Sequence, residues 1–98
     1  PPALPMHPSS ARVLTATLDD SAVLLSFRLG LADGITVLCR RAAETDFLTL
    51  AEDDDSPVVD SRPKLRPDQP EIRIYRAILH YDDGETLQLS NELRVVVP

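Results

Sequence analysis

The sequence predicts an all-β sandwich, and three observations predict it. Bulky apolar side chains recur at every second position along most of the chain, which is the period of a strand with one buried face. Turn signals interrupt these runs about every ten residues. Hydrophobic residues make up 43% of the 98, yet Phe27, Phe47, Tyr75 and Tyr81 are the only aromatics. The interior must therefore be built mainly from Leu, Val, Ile and Ala, and the length suits a single domain.

The elements follow in order. Residues 1–10 hold Pro1, Pro2, Pro5 and Pro8 and end in Ser9-Ser10. This is the composition of a stiff, extended leading segment or linker, so the domain is expected over residues 11–98. Val13 to Leu18 is a Thr-rich apolar strand that stops at Asp19-Asp20. Val23, Leu25, Phe27 and Leu29 alternate with Leu24, Ser26 and Arg28, placing the bulky set on one face. Gly30 and Asp33-Gly34 break the chain, and Ile35, Val37 and Cys39 then form a second alternating set. Ala42, Ala43 and Glu44 make residues 41–55 the one stretch that favours a short helix or turn. Phe47 to Leu50 is a short apolar run ending in the acids Glu52 to Asp55. Pro57, Val58 and Val59 add a brief edge strand, and Pro63, Pro67 and Pro70 forbid a central strand over residues 60–70. The longest apolar stretch is Ile72 to Tyr81. It carries Tyr75, Ala77, Leu79 and Tyr81 on one face and Ile72, Ile74 and Ile78 on the other, which predicts a central strand covered on both sides. Asp83-Gly84 is a hairpin turn signal. Leu87 and Leu89, then Leu93, Val95 and Val97, alternate to the end.

This arrangement resembles the fibronectin type III family, an immunoglobulin-like sandwich of seven strands. The residues that carry the resemblance are Tyr75, Ala77, Leu79, Tyr81 and Gly84, which look like the family's sixth strand and turn. Ser90-Asn91 with Leu93, Val95 and Val97 look like its seventh. Phe27 stands where the family usually has a core Trp, and Gly34 to Arg41, Phe47 and Leu50 look like its third strand and the one after it. The resemblance covers roughly residues 8 to 98. It implies a seven-stranded fold and a core Tyr75 whose hydroxyl ties to an upstream backbone group. Leu65 would be the apolar residue that precedes that tyrosine, here at a longer spacing. It also implies ligand loops at about Leu31 to Gly34 and Asp82 to Thr86.

Charge and residue inventory narrow the function. The net charge is −6, which argues against nucleic acid and anionic membranes as partners, and no apolar run is long enough to span a bilayer. Cys39 is the only cysteine, so no internal disulfide forms. It lies within an apolar alternation and reads as a buried, inert thiol. The histidines are His7, in the proline-rich segment, and His80, on the face opposite Tyr75, so neither sets up a nucleophile with its base. One cysteine with two distant histidines does not make a zinc site. Glu52, Asp53, Asp54 and Asp55 form one acidic run and Asp82, Asp83 and Glu85 another. Neither follows the pattern of a helical calcium loop, and both read as solvated loops, with a weak calcium site where they approach as the alternative.

No residue is thus assigned a catalytic, cofactor-binding or metal-binding role, and no cofactor is expected. The chain opens on Pro1-Pro2 and is expected to be a piece of a longer protein. The function expected is a non-catalytic module acting as a spacer or protein-interaction domain, with neighbouring domains or other proteins as partners. The alternative is an accessory domain of an enzyme, for example one acting on polysaccharide, that contributes substrate contact.

Overall fold

The computed structural model describes residues 13–81 and 87–98. Among them are eight strands and no helix: β1 Leu14–Asp19, β2 Ala22–Phe27, β3 Gly34–Arg41, β4 Leu48–Asp53, β5 Val58–Asp60, β6 Glu71–His80, β7 Leu87–Leu89 and β8 Leu93–Val97. They form two antiparallel sheets. One has the order β1-β2-β5. The other has the order β4-β3-β6, with β7 and β8 both paired to the far edge of β6. The architecture is all-β and fits a β-sandwich.

The alternation read from the sequence is the burial pattern of the strands. Val23, Leu25 and Phe27 of β2 face Ile35, Val37 and Cys39 of β3 and Tyr75, Ala77 and Leu79 of β6 across one interior, closed by Leu14, Val58 and Val97. Strands β2, β3 and β6 contribute alternate residues to that interior because successive side chains of a strand point to opposite faces. Tyr81, expected in the same row, is half-buried and packs at its margin.

Residues 41–55, read as a short helix or turn, hold a turn and no helix, and three other expectations are corrected. The Glu44 carboxylate folds back to accept the Arg41 backbone N–H at 2.8 Å, closing a turn, and Leu48–Asp53 pairs with β3. The modest preference of two alanines for helix yields to a full strand ladder. Glu52 and Asp53 accordingly belong to β4 rather than to the loop after it.

Strand β6 is central, but it is not covered on both sides. Ile72, Ile74 and Ile78 are only half-buried, shielded within the sheet by neighbours such as Thr36, Leu89 and Val96 rather than by a second layer. The third correction is Leu65, which is 57% exposed and takes no part in the surroundings of Tyr75.

The brief edge strand after Pro57 is present as β5, on the edge of the three-stranded sheet, and residues 61–70 contain no strand. The leading segment 1–10 and the Asp83-Gly84 turn lie outside the described residues.

Candidate functional site

The sandwich has two ends with different chemistry. At one end the loop between β2 and β3 carries Leu31, 92% exposed, beside Gly30, whose positive φ of 59° is a conformation glycine adopts without strain. The Asp33 N–H donates to the His80 carbonyl at 2.7 Å and pins the loop to the end of β6. The register of Ile35 opposite Asp53 brings the acidic run to this same end. Asp53, Asp54 and Asp55 are exposed, with carboxylate oxygens within 4.8 Å of one another. One Asp53 oxygen accepts the N–H groups of Asp54 and Asp55, which organises the turn. The second acidic run and the Asp82 to Thr86 loop lie outside the described residues, as does His7.

His80 sits on the outer face of β6, half-exposed, with Nε2 2.6 Å from the Thr36 hydroxyl. Among the described residues no carboxylate holds its other ring nitrogen. Cys39 points into the interior from the opposite face of the same sheet, and burial pushes its thiol pKa up. The thiol packs among the apolar side chains of the interior.

The other end carries the charged residues that the sequence reading missed. Asp60 and Arg73 are buried at 1% and 0% exposure, and both lie on inward-facing positions of their strands. Asp60 is two residues beyond the buried Val58, and Arg73 is two residues before the buried Tyr75. Extending the strand period by one step in each case would have identified them.

These groups satisfy one another. The Tyr75 hydroxyl donates to Asp60 Oδ2 at 2.7 Å, and Arg73 Nη1 donates to the same oxygen at 3.1 Å. Arg62 spans both Asp60 oxygens at 2.8 and 2.9 Å. Arg73 also donates to the Arg62 carbonyl and, at 2.6 Å, to Glu71 Oε2. Tyr75 is thus the core tyrosine that was expected, but its hydroxyl meets a carboxylate rather than a backbone group.

The electrostatics follow from this geometry. Burial pushes the Asp60 pKa up. Hydrogen bonds from Arg62 and Tyr75, with the charges of Arg62 and Arg73, outweigh that and hold it at about 2. Burial likewise raises Glu71, but the Leu65 N–H and Arg73 overcome it and the group stays ionised below its ordinary range. Tyr75 is driven far up by burial and by its bond to Asp60, so its phenol stays neutral. Perturbed groups of this kind mark active sites when they face a cleft. Here Asp60, Arg73 and Tyr75 face one another between the two sheets and hold β5 to β6, while Glu71 also borders an open pocket.

Arg41 ends β3 directly opposite Arg73 and lies at the edge of this cluster. It lines an open pocket of about 330 Å³ together with Ala43, Leu65, Arg66, Glu71 and Ile72. On the outer sheet face the Arg76 guanidinium lies 3.8 Å from the centre of the Phe47 ring, a cation–π contact that partly covers the one aromatic on that side. No family model, curated protein or solved structure matches the chain.

Proposed function

We propose that this chain is a non-catalytic module of a larger protein, an immunoglobulin-like sandwich of the fibronectin type III kind that acts as a spacer or protein-interaction domain. The observation that carries the reading is the inward orientation of the perturbed groups. Asp60, Arg73 and Tyr75 are consumed in joining the two sheets. The remaining candidates, Cys39 and His80, lie on opposite faces of one sheet. A pairing order of β1-β2-β5 against β4-β3-β6, with a last strand on the far side of β6, supports the family resemblance. So does the core tyrosine on the strand where that resemblance puts it. A network that ties the sheets together suits a domain whose task is to keep its shape between neighbours.

The test is a binding and turnover screen on the 98-residue chain. It is titrated with calcium and with a panel of oligosaccharides while its amide resonances are followed, and assayed against ester, peptide and glycoside substrates. The expected result is no saturable glycan or calcium response and no turnover. Saturable glycan binding at the Leu31 end would replace the spacer reading with that of an enzyme's accessory domain, and turnover abolished by Thr36→Ala would make the chain an enzyme.

A further inference from the structure

The pocket beside Arg41 has properties that holding the sheets together does not require. It lies at the end opposite Leu31, between the end of β3, the 65–70 segment and the start of β6. Arg41 is 7% exposed, yet its side chain makes no hydrogen bond among the described residues, and its Nε is buried without a hydrogen-bond partner, held only in a long ion pair. The carboxylate oxygen nearest to it, Glu71 Oε2, is 3.6 Å away and already receives the Arg73 Nε at 2.6 Å. The other Glu71 oxygen accepts the Leu65 N–H. The Glu44 carboxylate is engaged by the backbone of Arg41, not by its guanidinium. Arg66, exposed on the same pocket, makes no ion pair among the described residues.

A guanidinium presents five donors in a planar fork that matches the two oxygens of a carboxylate, and buried donors are costly to leave unpaired. Two guanidinium groups here share a wall with a single carboxylate, which makes the pocket cationic within a chain of net charge −6. Apart from Gln69 the rest of the lining is apolar, including Ala43, Leu65 and Ile72. A volume of about 330 Å³ is at the small end of ligand sites. Glu71 disfavours a dianion such as phosphate, whereas a singly charged group with an apolar body uses both kinds of wall.

We propose that this pocket binds a carboxylate carried on a short apolar group, the carboxylate paired by Arg41 and Arg66 and the apolar group lying against Leu65 and Ile72. Such a ligand is either a small branched or linear organic acid or the C-terminus of a peptide with an apolar last residue. The two share the recognition chemistry and differ in what continues beyond it.

The experiment is a set of amide-resonance titrations of the 98-residue chain. The probes are 3-methylbutanoate, N-acetyl-alanyl-leucine, the uncharged amide of each, and inorganic phosphate. At least one acid is expected to give saturable shifts at Arg41, Ala43, Leu65 and Ile72, with a dissociation constant on the order of 1 mM, while the amides do not. Tighter binding of the small acid identifies a free metabolite-like ligand, and tighter binding of the dipeptide identifies a peptide terminus.

Arg41→Lys keeps the charge but loses the fork, and is expected to weaken binding about tenfold. Ala43 is exposed, so Ala43→Trp fills the pocket from a position that tolerates it and is expected to abolish the shifts with the rest of the spectrum unchanged. No saturable shift with either acid, amides that bind as well as the acids, phosphate that binds more tightly, or undiminished binding in Ala43→Trp would each overturn the proposal.

Discussion

Arg73 occupies a position where the strand period calls for an apolar side chain, and it is tolerated there because each of its three guanidinium nitrogens finds an acceptor. Its guanidinium reaches Asp60, Glu71 and the Arg62 carbonyl at 2.6 to 3.1 Å. A buried ion pair gains little over a well-packed apolar pair, but removing one partner strands the other. Arg73→Leu is therefore expected to cost about 3 to 5 kcal/mol, since Asp60 loses one of its two guanidinium partners and Glu71 loses its shortest hydrogen bond. Tyr75 divides the same energy differently. Tyr75→Phe keeps the ring and removes only the hydroxyl, at a cost of about 1 to 2 kcal/mol, whereas Tyr75→Ala also leaves a cavity and costs about 3 to 5 kcal/mol. Urea denaturation midpoints, with the slopes compared, measure all three. Equal losses for Tyr75→Phe and Tyr75→Ala would show that the phenol, not the ring, is what the core needs.

The interruption between β7 and β8 shows how an element can break without leaving backbone groups unpaired. Where the chain leaves β6, Ser90 covers Ala77 from both sides: its N–H donates to the Ala77 carbonyl and its hydroxyl accepts the Ala77 N–H at 2.8 Å. Asn91 then crosses to the other sheet. Its Oδ1 accepts the Leu14 N–H at 3.1 Å and its Nδ2 donates to the Leu14 carbonyl at 2.9 Å, so one side-chain amide stands in for a strand residue. Asn91→Ala is expected to cost about 1 to 2 kcal/mol and to speed hydrogen exchange at Leu14. Asn91→Asp keeps the acceptor alone and should restore only part of the protection. Unchanged exchange at Leu14 would mean the bridge carries no load. This element also marks what was legible in the sequence. Strands with one buried face were readable, because alternation is a local property: Val23, Leu25, Phe27, Ile35, Val37 and Cys39 are all buried as read. The bridge from Asn91 to Leu14 joins residues far apart in the chain, so no local pattern announces it. Likewise the buried charges of Asp60 and Arg73 were passed over because polarity was taken as exposure. Their parity said otherwise, but only the pairing of β2 with β5 and of β3 with β6 brings them together. Arg41 and Arg66 converge on one pocket for the same reason, across a proline-rich stretch that sequence reading treats as mere connection.

At the scale of the whole molecule the buried charges gather at one end. Asp33 and Glu52 to Asp55 lie exposed at the Leu31 end, and Arg41, Arg62, Arg66 and Arg73 gather at the other. At the second end the carboxylates of Asp60 and Glu71 are held by arginines in the folded chain, which couples them to folding and gives them a part in the pH profile. Asp60 ordinarily titrates near 3.8 and here at about 2. A carboxyl with a depressed folded pKa contributes stability that is present above its ordinary value and is lost as pH falls toward the folded one. Asp60 therefore carries about 2 kcal/mol that disappears as pH drops from about 4 to 2, and the lowered Glu71 acts in the same direction. At the alkaline side the sign reverses. Tyr75 and Cys39 are raised above their ordinary 10.0 and 9.0, so the stability they contribute is complete below those values and declines as pH climbs beyond about 10. Denaturation midpoints measured from acid to alkaline pH should thus form a plateau through neutrality with a fall at each end. Asp60→Asn lowers the plateau because Arg73 and Arg62 lose their charge partner, and it also flattens the acid fall because the titrating group is gone. An acid fall equally steep in Asp60→Asn would show that Asp60 does not govern it and would leave Glu71 as the carboxylate of the cluster that responds to acid.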